Sequence, residues 1–169
     1  MKNPKTLHIF GGGAFVNHAV KIARDLEWKV VLRTGERFLK DFKNYNDKGV
    51  EILVGNSLTD LMDQGREPKD KDIGISFSAP WIISKKIIDM FDGKIYNLHN
   101  QPLPKFRGGG GSSWNILMKD KQGGSSIHLL VPEGDAGQIH ASVKYTFPKE
   151  LEYPRDFDKY AIDQATKLL

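Results

Sequence analysis

The sequence predicts an α/β fold, a mixed and mainly parallel sheet with helices on both faces. Two observations lead there. Through the first half, short β-rich runs alternate with helical patterns, the arrangement that builds parallel sheets covered by helices. After Asn100 the texture changes to a Pro/Gly-rich stretch followed by two further strand patterns, which adds an antiparallel element to the parallel series.

The elements follow in order. LHIFG at 7–11 is apolar, ends in glycine and precedes a helical pattern that runs to Asp25. WKVVLRT (28–34) reads as a second strand, and 36–48 as an exposed, charged helix. VEILVG (50–55) is a third strand, followed by a helix from Ser57 carrying Leu58, Leu61 and Met62. DIGISFS (72–78) is a fourth strand. WIISKKIIDMF (81–91) has helical apolar spacing through Ile82, Ile83, Ile87 and Phe91, and KIYNLHN (94–100) is a fifth strand. QPLPKFRGGGGSS is too long for an ordinary connection and therefore reads as functional. A short helix around Trp114–Lys119, a strand at 125–131, a loop at 132–138 and a strand at 139–147 come next. In the last of these, Ser142, Lys144 and Thr146 alternate with Val143, Tyr145 and Phe147, so one face meets water. From Pro154 the tail patterns as an amphipathic helix with Phe157, Tyr160, Ala161, Ala165 and Leu168. It stops at Leu169 without a cap, so the native chain is expected to continue.

Composition bounds the function. The 169 residues fit one domain, 1–169, and a chain of this size buries about 70 % of its unfolded surface. With 39 % hydrophobic and 27 % charged residues it patterns as a soluble globular protein. The net charge of +4 arises from 25 basic and 21 acidic residues that are interspersed, which argues against a nucleic-acid arm. Cysteine is absent, which excludes disulfides, thiolate metal sites and a cysteine nucleophile. No signal peptide or membrane span is evident, and the expected location is the cytoplasm. A homodimer is left open.

Three places carry candidate chemistry. Gly11-Gly12-Gly13 invites a nucleotide-binding reading, but Val16 stands where the dinucleotide fingerprint needs its third glycine. The Lys-Ser/Thr of a phosphate loop is also missing, so the glycines read best as a tight strand-to-helix turn. Asn97 and His99 lie at i and i+2 on a predicted strand, so both point one way while Leu98 points the other. They sit at the carboxyl end of that strand, where open α/β sheets place their ligands. The loop Pro132-Glu133-Gly134-Asp135-Ala136-Gly137 brings two carboxylates between strands; taken alone it reads as a turn.

Together these segments resemble a known family. NLHNQPLPKFRG (97–108) resembles the Asn-x-His-x-x-x-Leu-Pro-x-x-x-Gly block of the folate-dependent formyltransferases, which include the glycinamide ribonucleotide, methionyl-tRNA and sugar N-formyltransferase types. SSIHLLVPEGDAGQI (125–139) resembles their second block, Thr-x-His, six residues, then Asp-x-Gly-x-Ile. The resemblance implies a Rossmann-like formyltransferase fold and places Asn97, His99 and Asp135 on the family's catalytic Asn, His and Asp. It implies N10-formyltetrahydrofolate as co-substrate, with no metal. Its apolar slot is expected from Trp81, Ile82, Ile83 and Ile88 together with Leu130, Val131, Glu133 and Gly134. The implied acceptor is a small-molecule primary amine, bound by Asn100, Gln101, Arg107, Gly108 and Trp114.

The implied chemistry suits these residue types. An amide side chain donates to an oxyanion without titrating, and an imidazole holds or passes a proton at neutral pH. RGGGGSSWNIL looks closest to the sugar enzymes, and GGGAFVN lacks the Gly-x-Gly-Ser-Asn cradle of the glycinamide ribonucleotide type. The tRNA type's basic insertion and added domain are not seen either. The expected acceptor is therefore the amino group of a nucleotide-linked sugar, with glycinamide ribonucleotide or methionyl-tRNA as alternatives. Further alternatives are a formyltetrahydrofolate hydrolase, a non-catalytic folate-binding module and a nicotinamide-dependent oxidoreductase; the broken glycine fingerprint argues against the last.

Overall fold

A computed structural model of the chain describes residues 5–42 and 49–168. The strands are β1 (Thr6–Gly11), β2 (Lys29–Thr34), β3 (Val50–Val54), β4 (Ile73–Phe77), β5 (Ile95–His99), β6 (Gln122–Leu129) and β7 (Ile139–Thr146). The α-helices are α1 (Ala14–Asp25), α2 (Leu58–Gln64), α3 (Lys85–Asp89), α4 (Gly111–Leu117) and α5 (Pro154–Ala165). The strands form a mixed, mainly parallel seven-stranded sheet in the order β3-β2-β1-β4-β5-β6-β7. The chain divides into two compact units, Met1–Tyr96 and Asn97–Leu169.

In the first unit β1 pairs in parallel with both β2 and β4, and β2 pairs with β3. Burial along β1 and β2 is nearly unbroken, as expected of parallel strands covered on both faces. Phe15, Val16, Ala19, Val20 and Ala23 of α1 recur at the three-and-four spacing that lays one helical stripe against a sheet. Beneath this apolar layer lies a buried polar cluster. Asp72 accepts hydrogen bonds from the Thr6 and Lys69 amides, each at 2.9 Å. Arg33 Nη1 donates to His8 Nδ1 at 2.9 Å, which leaves the neutral ring's proton on Nε2, facing Asp72 Oδ2 at 3.4 Å. Burial, then the Arg33 charge, lowers the His8 pKa to about 4, so His8 sits in the core as the neutral base.

In the second unit β6 and β7 are antiparallel, with a register shift between Ile127 and His128. Ser142, Lys144 and Thr146 of β7 are exposed, as their alternation predicts. Phe147, Phe157 and Ala161 form this unit's core, with Tyr145, Leu151 and Tyr160 packed against it.

Four expectations are corrected. The exposed α-helix over 36–48 is instead a 3-10 helix over Glu36–Phe42, and 43–48 lie outside the described residues. Residues 81–84 are not helical; Ser84 sits in an extended N-cap conformation and the helix spans only Lys85–Asp89. Ile82 is 95 % exposed, while Ile83, Ile87 and Ile88 turn inward, so the apolar spacing is shared between a helix and the extended run before it. The helix expected near Trp114 begins earlier, at Gly111. Finally, β6 lies over Gln122–Leu129, not 125–131, and takes in two glycines that precede the expected strand. Packing demands both. A Cβ on Gly123 would fall 2.2 Å from the Tyr145 ring, and one on Gly124 would fall 2.8 Å from the Pro102 Cβ.

Candidate active site

Asn97 and His99 point to one side of β5, while Leu98 between them is buried at 3 % exposure on the other. The His99 Nε2 donates to the Phe106 carbonyl at 2.7 Å; a carbonyl only accepts, so this nitrogen carries the proton. The other ring nitrogen, Nδ1, faces Asp135 Oδ2 at 3.6 Å. The three residues expected from the sequence therefore converge within the second unit.

Asp135 is delivered by the tight loop after β6. Gly134 (φ 59°) and Asp135 (φ 40°) are both left-handed, a conformation that costs a non-glycine residue free energy and recurs at functional sites. Gly137 passes so close to β6 that a Cβ there would lie 1.8 Å from the Leu129 carbonyl oxygen. Opposite, the Gly108 amide donates to Asp135 Oδ2 at 2.8 Å, tying the Pro/Gly-rich loop to the carboxylate.

A fourth residue belongs to this cluster and was not singled out from the sequence. His128 on β6 is 1 % exposed, with Nε2 lying 3.4 Å from Asp135 Oδ1 and 3.2 Å from Asn97 Nδ2. Its Nδ1 donates to the Leu129 carbonyl at 2.9 Å. The signal was present, because His128 is the histidine of the second sequence block; a lone histidine in an apolar strand reads as core.

The residues expected at the donor site fall in both units. In the first, the Trp81 indole donates to the Asn56 carbonyl at 2.9 Å and lines a hollow of about 250 Å³ with Arg37, Asn56 and Pro80. Ile83 and Ile88 are each only 6 % exposed, which leaves Trp81 and Ile82 to present side-chain surface. In the second unit Leu130 and Val131 are half-buried, and Glu133 and Gly134 exposed.

The residues expected to meet the acceptor are all in the second unit. Gln101, Arg107, Gly108 and Trp114 border one hollow of about 290 Å³, with Phe106 beside them. Gln101 is buried and its amide donates to Asn115 Oδ1 at 2.9 Å, so it supports the hollow's floor. The Asn100 side-chain Oδ1 accepts from Ser125 Oγ at 3.4 Å. Trp114 is 57 % exposed, and Arg107 has no ion-pair partner among the described residues. Among those residues no group of His, Asp or Glu is arranged to hold a metal ion, and no helix is long and apolar enough to cross a membrane.

The formyl transferase family model matches residues 74–151, a segment that contains every member of the cluster around Asp135. A methionyl-tRNA formyltransferase of Finegoldia magna is 32 % identical over 125 residues, which cover 71 % of this chain. Residues 74–151 belong to the formyl transferase family. The chain spans 39 % of the length of that curated relative. Among solved structures of formyl transferases, the phosphoribosylglycinamide enzyme of Bacillus halodurans superposes with a TM-score of 0.75 at 17 % identity, over 97 % of this chain and 91 % of that one. WlaRD, a sugar 3N-formyl transferase solved with dTDP and 5-N-formyl-THF, superposes with a TM-score of 0.75 at 16 % identity, over 98 % of this chain and 60 % of that one. At such identities the likeness is one of fold.

Proposed function

We propose that this protein transfers a formyl group from N10-formyltetrahydrofolate to a primary amine, with Asn97, His99 and Asp135 as its catalytic centre. The observation that carries the reading is the convergence of an amide, an imidazole and a carboxylate at the end of β5, with the His99 Nδ1 and Asp135 Oδ2 at 3.6 Å. The donor supplies an activated one-carbon acyl group. As the acceptor amine bonds to the formyl carbon, the carbonyl oxygen becomes an oxyanion, to which the Asn97 amide donates. The nitrogen becomes cationic, and its proton passes to the His99–Asp135 pair. The same pair returns a proton to the folate nitrogen as the carbon–nitrogen bond to the donor breaks. The exposed Ile82 and the Trp81 face offer flat apolar surface of the kind a pterin or benzoyl ring covers, and Leu130 and Val131 offer more in the second unit.

For the acceptor, the same reading favours an amino group on a nucleotide-linked sugar. Arg107, which has no ion-pair partner among the described residues, carries a guanidinium suited to phosphate, the neighbouring glycines allow close approach of backbone amides, and the Trp114 face suits a sugar ring or base. A second reading, an aminoacyl-tRNA acceptor, is favoured by the Finegoldia magna relative. Purified protein with the formylated donor, assayed against an amino-sugar nucleotide, glycinamide ribonucleotide and charged initiator tRNA, tests both. Turnover of the sugar alone supports the first reading, and turnover of tRNA alone the second. No formylation of any amine by folded protein overturns formyl transfer.

A further inference from the structure

The hollow beside Arg107 lies wholly within the second unit, and its polar side chains are of two kinds. Lys105, Arg107 and the Trp114 indole can only donate hydrogen bonds. Among the described residues that line it, Gln101 alone has a side chain that carries an oxygen. Which end of the Gln101 amide faces the hollow is fixed from behind, by Asn115. That residue is 5 % exposed, and its Nδ2 donates to the Asp120 carbonyl at 3.1 Å and to the Gln122 carbonyl at 2.8 Å. Turned the other way, Asn115 would set its own oxygen against two carbonyl oxygens. Its Oδ1 therefore points at Gln101, and only the nitrogen end of Gln101 can meet it, which is the 2.9 Å contact from Nε2. Gln101 Oε1 is left facing away from Asn115. It has no hydrogen-bond partner among the described residues, and it is not one of the sealed unpaired polar atoms. A buried side chain thus brings one unsatisfied acceptor to the surface of a hollow whose other polar side chains are donors.

We propose that Gln101 Oε1 reads a hydroxyl group of the acceptor substrate, and that Asn115 is the positioning residue that sets its polarity. The inference rests on the proposed formyl transfer to a nucleotide-linked amino sugar. Rim and floor of the hollow differ in a way that orients such a substrate. Lys105 and Arg107 are exposed and suit a phosphate, whereas Gln101 is buried. Gly108, on the same lining, donates its amide to Asp135 Oδ2 at 2.8 Å, so the hollow adjoins the proposed catalytic carboxylate. An acceptor with its anionic end over Lys105 and Arg107 directs its amine-bearing ring towards Gln101 and Asp135. A hydroxyl beside the amine donates to Oε1. A ring without that hydroxyl covers Oε1 and leaves it unpaired, and the cost of a stranded buried acceptor makes the hydroxyl a selected feature.

The experiment is calorimetry on the protein with a nucleotide-linked amino sugar and with two counterparts, in which the hydroxyl beside the amine is replaced by hydrogen or by fluorine. Fluorine fills much the same space but cannot donate. Both replacements are expected to weaken binding about 10–100-fold, the range for stranding a buried acceptor. In Gln101→Met, which keeps the length and drops the amide, the hydroxyl, deoxy and fluoro ligands bind alike. A Gln101 of purely structural value would lower every affinity together and leave the ratios between ligands intact. NMR of the wild type reads the polarity directly. One Gln101 amide hydrogen exchanges slowly in the free protein, and the Gln101 side-chain carbonyl ¹³C signal shifts with the hydroxyl ligand but not with the fluoro one. Equal affinity for the hydroxyl and fluoro ligands, a discrimination that survives Gln101→Met, a carbonyl signal that does not respond, or no binding of the amino-sugar nucleotide overturns the proposal. The wild-type measurements decide it even if the variant fails to fold. None of them needs turnover, so an amino sugar that binds with this preference and is not formylated would bear on the function and not on Gln101.

Discussion

Replacing Gly137 by alanine tests whether the loop that delivers Asp135 is built on one close backbone approach. The added Cβ would start 1.8 Å from the Leu129 carbonyl oxygen, whereas real Cβ contacts stay beyond about 3.0 Å. The loop or the end of β6 must therefore move by more than an ångström, and both atoms in the clash are held by backbone, so no side-chain rotation relieves it. The Leu129 amide, which donates to the Gln138 carbonyl at 2.9 Å, is lost or lengthened in the process. Overpacking of this kind costs about 1–3 kcal/mol, and each kcal/mol lowers the melting temperature by about 2–4 °C in a chain of this length. The larger effect falls on chemistry. Asp135 lies two residues away, with His99 at 3.6 Å and His128 at 3.4 Å, and a misplacement near 1 Å costs about 10² in rate. The expected result is a small drop in melting temperature by calorimetry together with a fall of about a hundredfold in kcat/KM. A Gly137→Ala protein with unchanged melting temperature and unchanged kcat/KM would refute the reasoning.

Three other outcomes follow from the same geometry. Asp135→Asn keeps the shape but cannot hold the proton, so kcat falls by about 10²–10⁴ while donor affinity by calorimetry stays within about twofold; an unchanged kcat would remove Asp135 from the chemistry. Arg107→Ala raises KM for a phosphate-bearing acceptor and leaves kcat near wild type, whereas an unchanged KM would place the phosphate elsewhere. In the first unit, His8 has a pKa of about 4 when folded and near 6.5 when unfolded, so the unfolded chain takes up the proton first. Stability therefore falls as pH drops from about 6.5 to 4 and levels off below, by about 3 kcal/mol for this residue. Urea unfolding of wild type and His8→Gln at pH 7.5 and 4.5 checks this, and equal acid losses in the two proteins would discount His8.

The fold was legible where periodicity and turn chemistry agree. Ser57 followed by Leu58, Leu61 and Met62 patterns as a capped helix, and Ser57 Oγ does accept from the Asp60 amide at 3.3 Å. It was less legible where tertiary packing overrides local habit. The strand expected from Ser125 begins earlier, at Gln122, because only the Tyr145 ring and Pro102, distant in sequence, explain why a strand needs Gly123 and Gly124. Ile82 looks like one more core residue of a helix until the Ser84 cap places it outside. Arg33 and His8 lie in strands that pattern as apolar, and the partner that makes their burial tolerable, Asp72, stands far along the chain. In the site, Asn97 and His99 were readable because a two-residue step on a strand has one geometric meaning. His128 was not, since its importance depends on an Asn on another strand.

The way the site is anchored separates its chemistry from its recognition. His99 is fixed by the Phe106 carbonyl and Asp135 by the Gly108 amide, two backbone atoms that flank Arg107. Backbone atoms are supplied by almost any residue, so side chains at 105–107 can change without removing either anchor, provided that position 108 keeps a left-handed conformation open to glycine (φ 87°). Arg107 and Trp114 nearby are exposed, and under the proposed function they are the groups that a substrate meets. Under that function, such a design lets one proton-handling centre serve different amines, with the choice among them made by side chains of a loop whose backbone does not have to move. Under the proposed function, that is also why the two sequence blocks point to the chemistry without naming the acceptor: they hold the proposed reacting groups and their anchors, and the proposed acceptor contacts Arg107 and Trp114 anchor neither His99 nor Asp135.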